Sequence, residues 1–209
     1  MGSTSVQIER LAALKEAARE ILEGARRAIE ELDPDQVEKF VEILMKAKEE
    51  GRKVFVVGMG RSGFVGRAFA LRLMNMSFDV YVVGETITPA AEPGDILVAI
   101  SGSGETKGTV TAAEVAKQIG TVVVAITSHP ESDLGRLADH VVVVKGRTKI
   151  ASRKDYIARQ MRGEREPLGP LGTLFENACM VFLDSLIVEL MVRLGLTEED
   201  IRRRHANVE

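Results

Sequence analysis

Only one cysteine, Cys179, stands in the 209-residue chain, so no disulfide can close within it. It lies in an apolar helical stretch, where a buried structural thiol is expected. The opening residues carry no apolar signal core, and together with the lone thiol this points to the cytoplasm. Long hydrophobic runs are missing too. The longest are about strand length, well short of the ~20 residues that span a bilayer, so no membrane-inserted segment is expected. Nor is there surplus positive charge: 28 Lys and Arg stand against 31 Asp and Glu, a net charge of −3. Without excess cations a chain has little with which to displace counterions from nucleic acid, and no such partner is expected. Arg202 to Arg204 is then local chemistry or a solvated face. The three histidines, His129, His140 and His205, are scattered and offer no metal-ligand spacing, so neither metal nor metal catalysis is expected. Finally, no Ser/Pro-rich linker or shift in composition divides the chain. Residues 1–209 read as one domain with one substantial core.

What is present is periodic. Val6 to Leu32 places Ile8, Leu11, Leu14, Ala18, Ile21, Leu22, Ala25 and Ile29 at helical spacing. Asp33-Pro34-Asp35-Gln36 then supplies an N-cap, a proline at the first helical position and Gln at N3 for a second helix running to Gly51. This helical pair, about residues 5–51, is either packing for a sheet face or an oligomer contact. From Lys53 the pattern changes to apolar runs at Val54 to Val57, Val80 to Val83, Ile96 to Ile100, Val122 to Ile126 and Val141 to Val144. Unbroken Val/Ile runs are what a parallel sheet covered on both faces requires. The expected fold is therefore α/β: a doubly wound, five-stranded parallel sheet of order 2-1-3-4-5, spanning about residues 53–145, with flanking helices.

A connection from Lys145 to Pro170 follows. Its Lys145, Arg147, Lys149, Arg153 and Lys154 either steer an anion or form a solvated surface, and Asp155 to Arg162 reads as a short helix. The C-terminal helical segment, about residues 172–205, begins with Gly172 to Leu194. Its apolar residues cover more than one face, as core packing plus a subunit contact would demand. A last helix, Glu198 to His205, lacks an apolar stripe of its own, and an anchor on a neighbouring subunit is expected for it. His129, beside a turn, and His140, at a strand entrance, read as structural.

Two loops carry the chemistry. Ser101-Gly102-Ser103-Gly104-Glu105-Thr106 joins the Ile96 to Ile100 strand to the helix Lys107 to Ile119, and Gly58-Met59-Gly60-Arg61-Ser62-Gly63 joins the first strand to a helix Phe64 to Met76. Free N–H groups and the positive end of a helix dipole meet an anion at such loops, and hydroxyls add donors. One loop of this kind could be an ordinary capping turn. In a 2-1-3-4-5 sheet, however, strands one and three are neighbours, and both loops open at the switch point where ligands bind. Gly60, Arg61, Ser62, Ser101, Gly102, Ser103, Gly104, Glu105 and Thr106 are the candidate substrate-binding residues for a phosphomonoester. A dinucleotide-binding dehydrogenase competes with this reading, because Gly58, Gly60 and Gly63 satisfy Gly-x-Gly-x-x-Gly and Glu85 lies where a ribose-binding acid would. Bulky Arg61 and Phe64, and a second hydroxyl-rich loop, weigh against it. A sugar-phosphate-sensing regulatory module is a third reading, weakened by the lack of a DNA-binding segment.

The run Val54 to Val144 resembles a SIS (sugar isomerase) domain, with the two loops matching its phosphate-binding loops. Gly-Met-Gly-Arg-Ser-Gly at 58–63, Val-Gly-Glu-Thr-Ile-Thr-Pro at 83–89, Leu-Gly-Thr-Leu-Phe-Glu at 171–176 and Arg-Arg-His-Ala-Asn at 203–207 are together similar to the 6-phospho-3-hexuloisomerase family. The ending departs from that family's usual apolar finish in its acidic Glu209. The resemblance implies an intramolecular oxidoreductase acting on a small-molecule sugar phosphate. It would interconvert a 3-ketohexose 6-phosphate and fructose 6-phosphate in the ribulose monophosphate route that handles formaldehyde. No metal or organic cofactor is implied, and a homotetramer with shared active sites is. Another aldose/ketose phosphate isomerase of the SIS type is the nearest alternative. Moving a ketone between C3 and C2 through a cis-enediol needs one base and one acid. Glu176 is the candidate base, since a carboxylate in a mostly apolar helix is desolvated and suited to take a proton from carbon. His205 is the candidate acid, an imidazole near neutrality. Read without the family motif, Glu176 would be a helix-terminal acid and His205 an exposed terminal residue.

Overall fold

The Val/Ile runs form the expected sheet. In the computed structural model, which describes residues 3–146, 168–170 and 172–204, β1 (Val54–Gly58), β2 (Val80–Val82), β3 (Ile96–Ile100), β4 (Val122–Thr127) and β5 (His140–Val143) lie in the order β2-β1-β3-β4-β5. Every pairing is parallel. Register decides where function can sit: Val54 pairs with Ile96 and Gly58 with Ile100, so β1 and β3 end level and their two loops start side by side.

Alternate residues of each strand feed different halves of the core. Val54, Val56, Val98, Ile100, Val124 and Ile126 face one way, onto a cluster with Phe40, Leu44, Phe69, Phe182 and Leu186. Phe55, Val57, Leu97, Ala99, Val123 and Ala125 face the other way, onto Ala113, Ala116 and Leu134. A strand buried on both sides has no position free for a polar residue, which is why these runs show no alternation.

The first face is covered by helices from three parts of the chain. α1 (Ser3–Glu30) packs against the long α6 (Thr173–Leu194), and α2 (Pro34–Glu49) against β5. α2 begins where its capping residues predict, with Asp33 Oδ1 accepting the Asp35 N–H at 2.9 Å. The helical pair thus packs on its own chain, yet Leu11, Leu14 and Leu22 remain exposed along α1. α3 (Arg61–Asn75) also packs on this side, and α4 (Lys107–Ile119) with the short α5 (Asp133–Leu137) covers the other.

Two expectations are corrected, and one unforeseen helix is added. α3 starts at Arg61, not Phe64, because Gly60 takes φ 59° and turns the chain directly into the helix. The five-residue α5 has too little apolar pattern to be read; Ser132 caps it by accepting the Gly135 N–H at 3.3 Å. The last helix, α7 (Glu198–Arg202), is anchored in its own chain, since Ile201 is only 8% exposed and joins the main core. One apolar residue on a single turn suffices when a capping box fixes the start, here Thr197 and Asp200. Lys145 is paired with Glu31 on the surface at 3.0 Å, while Arg147, Lys149, Arg153, Lys154 and the segment Asp155 to Arg162 lie outside the described residues, as does His205. Among the described residues, no helix is long and apolar enough to cross a membrane.

Candidate active site

Helix starts show where the molecule keeps donors free. Side chains cap α2, α5 and α7 through Asp33, Ser132 and Thr197. By contrast α3, α4 and α6 start at Gly60, Thr106 and Gly172 with no side-chain cap hydrogen bond. These three uncapped starts meet: Gly60, Thr106 and Gly172 all line one cleft of about 200 Å³ at the carboxyl ends of β1 and β3. The first turn of a helix carries N–H groups without intrahelical partners, and the dipole adds partial positive charge. Three such ends around one cleft favour a negatively charged ligand there.

The Ser101–Thr106 loop is folded on itself. Ser101, 2% exposed, donates its hydroxyl to Thr106 Oγ1 at 3.1 Å and accepts the Gly104 N–H at 3.1 Å. Ser103 Oγ accepts the Glu105 N–H at 3.3 Å. Of the candidate binding residues, Gly60, Arg61, Ser62, Ser101, Gly102, Ser103 and Thr106 line the cleft. Gly104 and Glu105 do not. The Gly104 carbonyl accepts the Leu134 N–H at 3.0 Å, and Glu105 Oε1 accepts the Asp133 N–H at 3.1 Å, so both turn to the start of α5.

Glu176 enters from α6, where its N–H bonds the Gly172 carbonyl at 3.0 Å. It is 9% exposed and its Oε2 accepts a hydrogen bond from Arg61 Nε. One turn on, burial pushes the Cys179 thiol well above its usual range, and the Glu176 charge adds to the effect. Cys179 is therefore a neutral core thiol, not a nucleophile. Met59, Ile100 and Phe175 also line the cleft. Met59 and Phe175 stand within the motifs at 58–63 and 171–176, but an apolar side chain offers phosphate no hydrogen bond and so is not singled out.

The other candidates lie elsewhere. Glu85 holds Arg67 at 2.7 and 3.0 Å on the exposed side of α3, so the acid a dehydrogenase would offer to a ribose is already paired. The His140 ring nitrogen Nε2 meets the Gln36 carbonyl oxygen at 2.7 Å, and His129 lies beside Glu131 at 3.2 Å; neither lines the cleft. Among the described residues, no group of three His, Cys, Asp or Glu could hold a metal.

A parallel 2-1-3-4-5 sheet with a cleft between the loops after β1 and β3 defines a class, and the chain belongs to it: the SIS domain family, whose model matches residues 48–161. Relatives narrow the likeness. The 3-hexulose-6-phosphate isomerase of Bacillus subtilis is 40% identical over 157 residues, 75% of this chain and 80% of that protein. A crystal structure from Methanococcus jannaschii, from which a function of 3-hexulose-6-phosphate isomerase is inferred, matches with TM-score 0.73 at 34% identity, covering 94% of this chain and 98% of that one. The arabinose 5-phosphate isomerase of Salmonella typhi is 31% identical over 91% of this chain and 55% of that protein.

Proposed function

We propose that this chain is a 3-hexulose-6-phosphate isomerase, interconverting D-arabino-hex-3-ulose 6-phosphate and D-fructose 6-phosphate. The observation that carries the reading is one nearly buried carboxylate, Glu176, in a cleft ringed by three uncapped helix starts. The helix starts and the hydroxyls of Ser62, Ser103 and Thr106 hold the phosphate. Glu176 then takes the proton from C2 of the 3-ketose. The electron pair moves into a C2–C3 double bond and the C3 oxygen gains a proton, which forms a cis-enediol. Return of a proton to C3, with loss of the proton on the C2 oxygen, leaves the 2-ketose. His205 is the proposed acid that relays protons between the two oxygens. The reaction needs no electron acceptor outside the sugar, since C2 is oxidised as C3 is reduced.

In this reading the enzyme works in the cytoplasm, in the ribulose monophosphate handling of formaldehyde, as a homotetramer whose active sites are shared between subunits. The exposed apolar residues of α3 and α6, Phe64, Leu71, Val181 and Val188, support a subunit contact along these two helices. The likeness to an arabinose 5-phosphate isomerase favours one second reading, an aldose/ketose isomerase acting on that pentose phosphate. An assay that supplies hex-3-ulose 6-phosphate and detects fructose 6-phosphate, beside one that supplies arabinose 5-phosphate, separates the two. Turnover of the hexulose phosphate without added metal or nicotinamide is expected; turnover of the pentose phosphate alone would overturn the first reading.

A further inference from the structure

Among the described residues lining the cleft, Arg61 is the one cation and Glu176 the one anion, and they are bonded to each other. Among those residues the one cation in reach of an incoming phosphate is thus held by the carboxylate proposed as base. The two partners differ in freedom. The Glu176 side chain is 10% exposed and fixed on α6, whereas the Arg61 side chain is 60% exposed at the start of α3. If the pair parts, Arg61 is the one that moves.

Charge decides which anion keeps the guanidinium. A phosphomonoester carries roughly −1.5 to −2 at neutral pH and has three acceptor oxygens, against −1 for the carboxylate. A guanidinium also bonds phosphate bidentately, while the resting contact uses Nε. Resting on the phosphosugar reading, we propose that substrate phosphate takes Arg61 from Glu176, so that the carboxylate is released for proton transfer only when a phosphomonoester is seated. Arg61 then sets specificity as well as binding: a sugar lacking the phosphate meets a base still bonded to its partner. Such coupling is reciprocal, so Glu176 must weaken phosphate binding by the factor with which phosphate frees Glu176.

Reciprocity gives the test, a double-mutant cycle read by calorimetry with inorganic phosphate and with fructose 6-phosphate as probes, which requires no catalysis. Glu176→Gln, nearly isosteric, should tighten binding of both probes on the order of tenfold, because Arg61 then has at most a neutral amide oxygen to hold it and no ionic partner. In the Arg61→Ala background the same substitution should change binding by less than about twofold. Unchanged affinity in Glu176→Gln would overturn the inference. So would equal tightening in both backgrounds, which would mean that the carboxylate merely repels phosphate through space. If neither probe bound the wild-type protein, the phosphosugar reading itself would fall and the inference with it. Far-ultraviolet circular dichroism establishes the fold of each variant, and Arg61→Lys serves as a second probe of that position: it should keep part of the coupling, since it retains charge without the planar fork.

Discussion

The ring of Phe175 lies directly on the backbone of Gly102: a Cβ added at Gly102 would meet Phe175 Cδ1 at 2.7 Å and Cγ at 2.9 Å. The loop after β3 and the start of α6 therefore touch with only the Phe175 ring between them. Because Glu176 follows Phe175, this contact sets the distance from the Ser101–Thr106 loop to the proposed base. Gly102→Ala should push the ring away and carry Glu176 with it. A misplacement of about 1 Å can cost roughly a hundredfold in rate. Turnover in the hexulose phosphate assay should fall by about that factor, and Phe175→Leu added to Gly102→Ala should restore part of it. A Gly102→Ala enzyme with wild-type turnover would show that the spacing is not set here.

Ser103 tests the cradle. Ser103 lines the cleft, and its hydroxyl oxygen accepts the Glu105 N–H. Ser103→Ala should weaken phosphosugar binding by roughly 1.5 to 3 kcal/mol, the value of a hydrogen bond to a charged group. The Michaelis constant should rise, inhibition by inorganic phosphate should weaken, and unchanged values of both would remove Ser103 from the site.

Glu176→Gln preserves shape and removes the proton acceptor. Turnover should drop by about two to four orders of magnitude while substrate is still bound. Wild-type turnover in this variant would end the assignment of Glu176 as base.

A staple outside the cleft gives a pH signature. Arg193 bonds both carboxylate oxygens of Glu38 at 2.6 Å, tying α2 to α6, and this hydrogen bonding holds the Glu38 carboxyl below its usual range. A group whose folded pKa is depressed adds stability above its unfolded value of about 4.3, and that stability is lost as pH falls through the folded value. Thermal midpoints of wild type and Glu38→Gln should therefore differ at neutral pH and converge in acid. A gap that widened in acid would contradict the sign.

Shared sites predict complementation. Inactive Glu176→Gln subunits mixed with inactive His205→Ala subunits should regain part of the activity, because a mixed oligomer can join an intact Glu176 from one chain to an intact His205 from another. No recovery despite demonstrated subunit exchange would place both residues on one chain or remove His205 from the mechanism.

Local rules carry far in this chain. Unbroken Val/Ile runs dictate strands buried on two faces, and Asp33 and Ser101 to Thr106 mark helix starts from composition alone. The strand order and the meeting of two loops also follow from the alternation, because right-handed crossovers leave few topologies. Other features depend on distance across the fold. That Ile201 holds α7 in its own core could not be read from one apolar residue among charges, since burial depends on what lies opposite. Nor does the spacing of residues 61 and 176 tell that Arg61 and Glu176 bond to each other, or that Gly104 and Glu105 turn to α5 while their neighbours line the cleft. Periodicity and capping act within a turn or two of chain, and so sequence determined the elements and the residue types at the cleft. Which anion holds which cation is decided by packing α3 and α6 side by side, a contact between residues more than a hundred positions apart.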